Sequence, residues 1–234
     1  MAVHKLKVDF HTHTAEDPQD LIKYTARDLI DEAARLGFDA LAVANHGAIT
    51  YSPALKRYAA GKNVLLIPGV EITASRSHVL VINPQFEPKP RGHSLSDIRD
   101  WQNEASLIIA PHPFFDIFKS LRSAVYPLLP YLDAIEYTSY HNRWLDLNKK
   151  AVRIAREFGK PVVGVSDCHL LWMFGTTYTL VEAEKDIQSI VAAVKKGRCE
   201  VRTEPLSLYR MIRFFVNVDY FRKILGLYER RKIR

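Results

Sequence analysis

The chain has 234 residues, 47% hydrophobic and 25% charged, with a formal net charge of +7. That composition excludes a fibrous, low-complexity or wholly disordered protein, and the length suffices for one large domain with its own core. Cys168 and Cys199 are too few for a disulfide framework, no apolar run approaches a membrane span, and residues 1–7 hold no apolar signal segment. The expected location is the cytoplasm.

Residues 5–10 predict a strand, and residues 26–36 a helix with Thr25 as N-cap and Gly37 just past its end. A strand over 40–44, a helix over 52–60 with Pro53 near its start, and strands over 64–67 and 79–82 follow. Next come a helix over 94–104 capped by Ser94, strands over 107–110 and 134–137, and a helix over 145–158 ending at Gly159. A strand over 162–165 and a helix over 186–196 stopped by Gly197 complete the series. Strands alternating with helices of this length predict parallel β/α units, and so many of them predict a closed or nearly closed barrel.

The basic charge is concentrated at the C-terminal end. From Lys195 onward there are twelve Lys/Arg against four Asp/Glu, so the first 194 residues carry about −1. We therefore expect a barrel over residues 1–204 and a basic amphipathic helical extension over 205–234. Leu206, Met211, Ile212, Phe214 and Phe221 are too apolar for a free tail and are expected to pack on the barrel or at a homo-oligomer interface. The charge suits a solvated helix face, and equally an attractor for nucleic acid or an anionic surface.

Most predicted strands run into a metal-ligand residue type. The first reaches His11 and His13, the second His46, the third Glu71, the fifth His112, and the last Asp167 and His169. In a β/α barrel the C-terminal strand ends converge on one face, so these residues would meet in one cleft. His11 and His13, like Asp167 and His169, are spaced i, i+2 and so lie on one side of a strand. Each residue alone reads equally well as a satisfied loop or surface group; their joint placement does not. His78 precedes its strand and sits at the wrong end for this logic. Imidazole and carboxylate ligands without thiolates suit Zn, Mn or Fe. Seven such residues exceed one tetrahedral ion, which predicts a polynuclear site; two ions about 3.5–4 Å apart are the usual device for phosphoester hydrolysis. Cys168 should point away from Asp167 and His169.

His11-Thr12-His13-Thr14, Asn45-His46-Gly47, Pro68-Gly69-Val70-Glu71, Ala110-Pro111-His112-Pro113 and Ser166-Asp167-Cys168-His169 occur in that order. Together they resemble the motifs of the PHP (polymerase and histidinol phosphatase) family of metal-dependent phosphoesterases, over roughly residues 5–200. The resemblance implies an α/β fold, a distorted seven-stranded TIM-barrel-like (β/α) barrel, with two to three divalent ions at its C-terminal face. It assigns His11, His13, Glu71 and Asp167 to one ion. Glu71 would bridge to a second held by His78 and His112, and His46 and His169 would hold a third. Two departures stand out. Asn45 occupies a position where the family usually has Asp, and is expected to orient His46. The further third-ion ligand falls among Glu16, Asp17 and Asp20, of which Asp17 is preferred.

Arg76, between Glu71 and His78, and Arg143 are expected to bind substrate oxygens; His141 is a candidate proton donor to a leaving group, beside Asp167, His169 and Arg76 in the catalytic set. Each reads alternatively as a solvent-exposed loop residue. The expected activity is hydrolysis of a phosphomonoester or phosphodiester: a small phosphorylated metabolite, a nucleotide or short RNA or DNA. The basic end mildly favours the nucleotide. Competing readings keep the barrel: a metallohydrolase of amides or lactones, or a non-catalytic RNA-binding barrel subunit. The nearly complete ligand set argues against the last.

Overall fold

A computed structural model describes residues 4–89, 92–115 and 119–215. Nine strands form one sheet: β1 (His4–Thr12), β2 (Ala40–Val43), β3 (Leu65–Ala74), β4 (Ser77–Ile82), β5 (Leu107–Ala110), β6 (Ala134–Thr138), β7 (Val162–Val165), β8 (Thr177–Ala183) and β9 (Cys199–Thr203). Their order is β7-β6-β5-β4-β3-β2-β1-β8-β9. The expectation of seven strands is thus corrected to nine, because residues 177–203 add an antiparallel hairpin beside β1. Nor are all units parallel: β4 runs antiparallel to both β3 and β5. The sheet curls until its far edge returns to β1. Asp167 N donates to His11 O at 2.9 Å, Thr12 bridges Cys168, and Thr179 Oγ1 donates to Gly164 O at 2.8 Å. Architecture is mixed α/β with a nearly closed barrel.

The helices on this barrel have local causes. Helix α1 (Ala26–Arg35) starts from a capping box between Thr25 and Asp28, and α2 (Pro53–Gly61) from the Ser52 hydroxyl and Pro53. Helix α3 (Ile98–Trp101) is far shorter than the predicted 94–104, because Asn103 donates to Trp101 O and accepts from Ala105 N, diverting the chain. After the short α4 (Val125–Leu128), α5 (Asn148–Glu157) begins three residues later than expected. Asn142 Oδ1 accepts from the backbone N–H of Trp144 and Leu145, which holds this stretch as a loop. Helix α6 (Ile187–Lys195) falls within the predicted 186–196, with Asp186 as its N-cap rather than its first residue. Helix α7 (Leu208–Phe215) starts the C-terminal extension; Leu206 is buried, and Phe214 packs on Tyr140 with ring centroids 4.8 Å apart. Residues 216–234 lie outside the described part. Among the described residues no helix is long and apolar enough to cross a membrane.

The barrel interior is filled by Val8, Phe10, Ala42, Ile67, Leu80, Ile109, Val165 and Val181, while separate apolar layers cover its outside. The seam is tight. A Cβ on Gly164 would stand 2.6 Å from Tyr178 O and 2.9 Å from Val201 Cγ1. Gly164→Ala is therefore expected to destabilise by about 1–3 kcal/mol, a fall of several degrees in a chain this size, read as a thermal midpoint. An unchanged midpoint would mean the seam relaxes freely.

Candidate metal centre

A β-bulge sets the geometry of the centre. β1 pairs Asp9 with Leu41 but Thr12 with Val43, so it carries one extra residue across that interval. Leu6, Val8 and Phe10 face the barrel interior; without the bulge, His11 and His13 would share the other side with Asp9. The extra residue returns both imidazoles to the inside, at the C-terminal mouth. Two further candidate ligands, His112 (φ 29°) and Asp167 (φ 46°), sit just past strands β5 and β7 in left-handed backbone. That conformation is costly for side chains of this kind and is a recurrent feature of functional sites.

The structure brings His11, His13, His46, Glu71, His78, His112, Asp167 and His169 together. All are buried except His169, whose side chain is 20% exposed. Glu71 is the hub. Its Oε1 lies 2.7 Å from His78 Nδ1 and 3.2 Å from His112 Nε2. Its Oε2 lies 3.0 Å from His46 Nε2, 3.4 Å from His11 Nε2 and 3.5 Å from His13 Nε2. Asp167 Oδ1 is 3.4 Å from His13 Nε2, 3.6 Å from His11 Nε2 and 3.7 Å from His169 Nδ1. His78 joins because β4 is antiparallel, which puts the start of that strand at the mouth. The strand-end logic misplaced it; the family resemblance had assigned it a ligand role.

This donor set fits divalent ions. His11 Nδ1 faces Glu136 Oε2 at 2.8 Å, and His13 Nδ1 faces Asp17 Oδ2 at 3.0 Å, so each ring presents a proton to its carboxylate. The two Nε2 atoms then face each other at 3.1 Å, and in the neutral rings both would be lone pairs, which a shared proton or a metal cation satisfies. His78 Nε2 is buried without a hydrogen-bond partner, and His78 Nδ1 is close to Glu71 but not in hydrogen-bond geometry. Ligand atoms of His11, His13 and Glu71, of His46, Glu71 and His78, and of His13, Asp167 and His169 lie within 4.8 Å of one another in each group.

Of the three acids expected near His46 and His169, Asp17 and Asp20 reach them. Asp17 Oδ2 accepts from His13 Nδ1, from His46 Nδ1 at 2.9 Å and from His46 N at 2.9 Å, while its Oδ1 accepts from the backbone N–H of Gln19 and Asp20. Asp17 therefore holds the rings of both His13 and His46, and these three residues also form a group whose ligand atoms lie within 4.8 Å of one another. Asp20 Oδ2 lies 2.8 Å from His169 Nε2 and 3.8 Å from His46 Nδ1. Glu16 instead takes the Ala26 N–H at the start of α1. Asn45 does not hold the His46 ring as expected. Its side chain binds Thr14 N, Thr14 Oγ1 and Thr50 Oγ1, tying the two histidine loops together.

The expected substrate residues are placed less centrally. Arg76 is exposed at the β3–β4 turn, where Ser75 and Arg76 both have positive φ. Arg143 is exposed in the loop before α5. His141 turns to β9, with Nε2 2.7 Å from Thr203 Oγ1 and its ring edge-on to Tyr137, so the structure does not bring it into the cluster. Two buried acids escaped the sequence reading. Asp9 accepts from His11 N and Ser166 N, and Glu136 faces His11 and His112 N. Glu136 is the lone acid in β6, which is the one signal that marks it, whereas Asp9 continues the polar alternation of Lys5 and Lys7 in β1 and carries no such signal.

The buried carboxylates and imidazoles shift one another's titration. Burial would raise the Glu71 and Asp167 carboxyls, but the surrounding imidazoles hold both below their ordinary range. Burial would lower His46, yet Glu71 and Asp17 outweigh it and raise its pKa to about 10, whereas His78 is pushed down to about 3 by burial. A histidine raised from 6.5 to about 10 stabilises the fold fully below 6.5, and that stabilisation is lost as pH climbs through 10. Asp9, raised by burial to about 7, acts in the same direction lower in the range: its protonated form favours the fold, and this is lost as pH rises through 7. Metal-stripped protein should thus melt at progressively lower temperature between about pH 6.5 and 10. Metal-loaded protein, whose ligands must shed protons, should show the opposite trend at the lower end of that range. Thermal melts across the series check both signs; a flat or rising profile for stripped protein would contradict the assignment.

Residues 146–199 match a family model described as PHP-associated. No curated protein matches the chain. Several solved structures share its fold. A two-domain protein from Bacteroides vulgatus, containing a predicted PHP-like metal-dependent phosphoesterase, is similar at 22% identity and TM-score 0.68, over 91% of this chain and 69% of that one. PsfC from Pseudomonas syringae is similar at 18% identity and TM-score 0.65, over 96% and 100%. The lesion-specific endonuclease PfuEndoQ from Pyrococcus furiosus is similar at 16% identity and TM-score 0.60, over 98% and 74%.

Proposed function

We propose, taking the chain as the PHP-family protein that its PHP-associated segment, ordered motifs and barrel mark it to be, that it is a metal-dependent phosphoesterase hydrolysing a phosphomonoester or phosphodiester. The observation that carries this reading is the division of Glu71, one oxygen toward His78 and His112 and the other toward His11, His13 and His46. A carboxylate shared in this way suits a pair of ions. In this reading His11, His13, Glu71 and Asp167 hold one ion and Glu71, His78 and His112 a second. His46 and His169 hold a third with Asp20, and Asp17 fixes the rings. Bound divalent ions of the Mn, Zn or Fe class supply Lewis acidity, activating water and offsetting phosphate charge.

The chain's own groups do the rest. Asp17 and Glu136 fix which ring nitrogens of His13 and His11 face the mouth. His169, the most exposed of the cluster, is placed to meet substrate first. Arg76, exposed in the β3–β4 turn, and Arg143, exposed in the loop before α5, are the cations assigned in this reading to nonbridging phosphate oxygens. A nucleotide or nucleic-acid phosphate is the favoured substrate class, supported by the basic extension and by the description of the Pyrococcus neighbour as an endonuclease.

The test is a panel of an aryl phosphate, a bis-aryl phosphate and an aryl carboxylate ester, each with Mn, Zn or Fe added. Turnover of either phosphate, abolished by chelation, is expected. Turnover of the carboxylate ester alone would overturn the proposal in favour of a metallohydrolase of carbonyl compounds.

A further inference from the structure

Glu136 lies in the middle of β6, between Ile135 and Tyr137, fully buried. It belongs to none of the five motifs, and its strand contributes no other residue to the cluster. A carboxylate in such a place is expensive unless each oxygen has a partner. Both do. Oε2 faces His11 Nδ1 at 2.8 Å, and Oε1 accepts from the backbone N–H of His112 at 3.0 Å. One side chain from β6 thereby holds a ring from β1 and the backbone just past β5.

We propose that Glu136 is a positioning residue for the metal centre, setting His11 so that Nε2 faces the ions and holding the strained His112 turn so that its ring reaches Glu71. This rests on the metal-dependent reading above. Three geometric facts support it. His11 Nε2, on the far side of the ring from Glu136, is the nitrogen 3.4 Å from Glu71 Oε2 and 3.6 Å from Asp167 Oδ1. His112 has φ 29°, a conformation that persists only when its surroundings impose it, and the bond from its own N–H to Glu136 is one such restraint. His112 Nε2 meets the other Glu71 oxygen, Oε1, at 3.2 Å. Glu136 therefore acts on both halves of the centre at once, through one ligand to each oxygen of Glu71. Each of its oxygens already takes one donor, so the role proposed is exerted through His11 and His112, although Glu136 also falls in a group with His11 and Asp167 whose ligand atoms lie within 4.8 Å of one another.

Glutamine separates this role from simple space-filling. Gln matches Glu in shape but offers one acceptor and one amide donor, so at least one of the two N–H groups would face another donor. In Glu136→Gln the affinity of the centre for Mn or Zn, measured by chelator competition on stripped protein, should fall about 10–100-fold. Wild-type protein titrated in parallel tests the metal-dependent reading by itself: absence of binding there would overturn that reading and this inference with it. Wild-type binding with Glu136→Gln unchanged within about twofold would overturn the positioning role alone. A nitrogen-15 NMR spectrum of Zn-loaded wild-type protein needs no variant to fold. It should show His11 protonated at Nδ1 and metal-shifted at Nε2; the reverse assignment would sink the proposal.

Discussion

Glu71→Gln is expected to reduce phosphoester hydrolysis by at least about a thousandfold, because the charge stabilisation supplied by paired ions is worth several kcal/mol and each 1.4 kcal/mol is about tenfold. The amide keeps the volume of the side chain but can offer an acceptor to only one of the two groups of imidazoles that Glu71 now serves. The other group would meet N–H donors where it needs a negative oxygen. Metal content should fall together with kcat, and the raised pKa of His46, sustained chiefly by Glu71 against burial, should drop. Steady-state kinetics at saturating metal, read beside metal content, checks this. Retention of more than about a tenth of the activity would show that Glu71 is not the shared ligand.

Stripping the metal should cost the fold heavily as well. An ion present at a hundred times its Kd stabilises the native state by about 2.7 kcal/mol, so two such ions contribute about 5 kcal/mol. For a chain of this length that is a fall of about 10–20 °C in Tm on chelation. The cause lies in the composition of the cluster. Asp9, Asp17, Glu71, Glu136 and Asp167 are buried within reach of His11, His13, His46, His78 and His112. Without cations their charges are balanced only by protons on the imidazoles. Differential scanning fluorimetry before and after chelation, with Glu71→Gln as a variant that should show little further loss, measures the effect. A Tm that ignores chelation in wild-type protein would contradict a structural role for the ions.

Most of the centre was legible because all but one of its candidate ligands follow an apolar run that reads as a buried strand. His11, His46, Glu71, His112 and Asp167 all lie at the ends of predicted parallel strands, and one barrel face collects them. The less legible parts have separate physical causes. His78 seemed to sit at the wrong end because strand direction is not written in the four-residue apolar run 79–82, and β4 turned out antiparallel. The bulge in β1 cannot be read from alternation: residues 5–10 alternate regularly, and the extra residue appears only through the register against β2. Asp17 and Asp20 are three residues apart in one polar loop, and only the fold decides which of them lies behind His46 and which meets His169. Glu136 carries no motif, and its partners come from β1 and the turn after β5. The hairpin β8–β9 was missed although β8 alternates buried with less buried residues, because β9 is short and largely exposed. His141 looked like a site residue by its place after β6, but Thr203 of that unanticipated hairpin claims its ring nitrogen.

The central claim is that the buried histidine–carboxylate cluster is a polynuclear metal centre that hydrolyses phosphoesters. Its most direct test is elemental mass spectrometry of protein purified without added metal, read beside aryl-phosphate hydrolysis by the same sample. The account predicts about two to three equivalents of Mn, Zn or Fe per chain, with activity lost on chelation and in Asp167→Ala. Less than about one equivalent, with no hydrolysis after reconstitution with any of these metals, would contradict it.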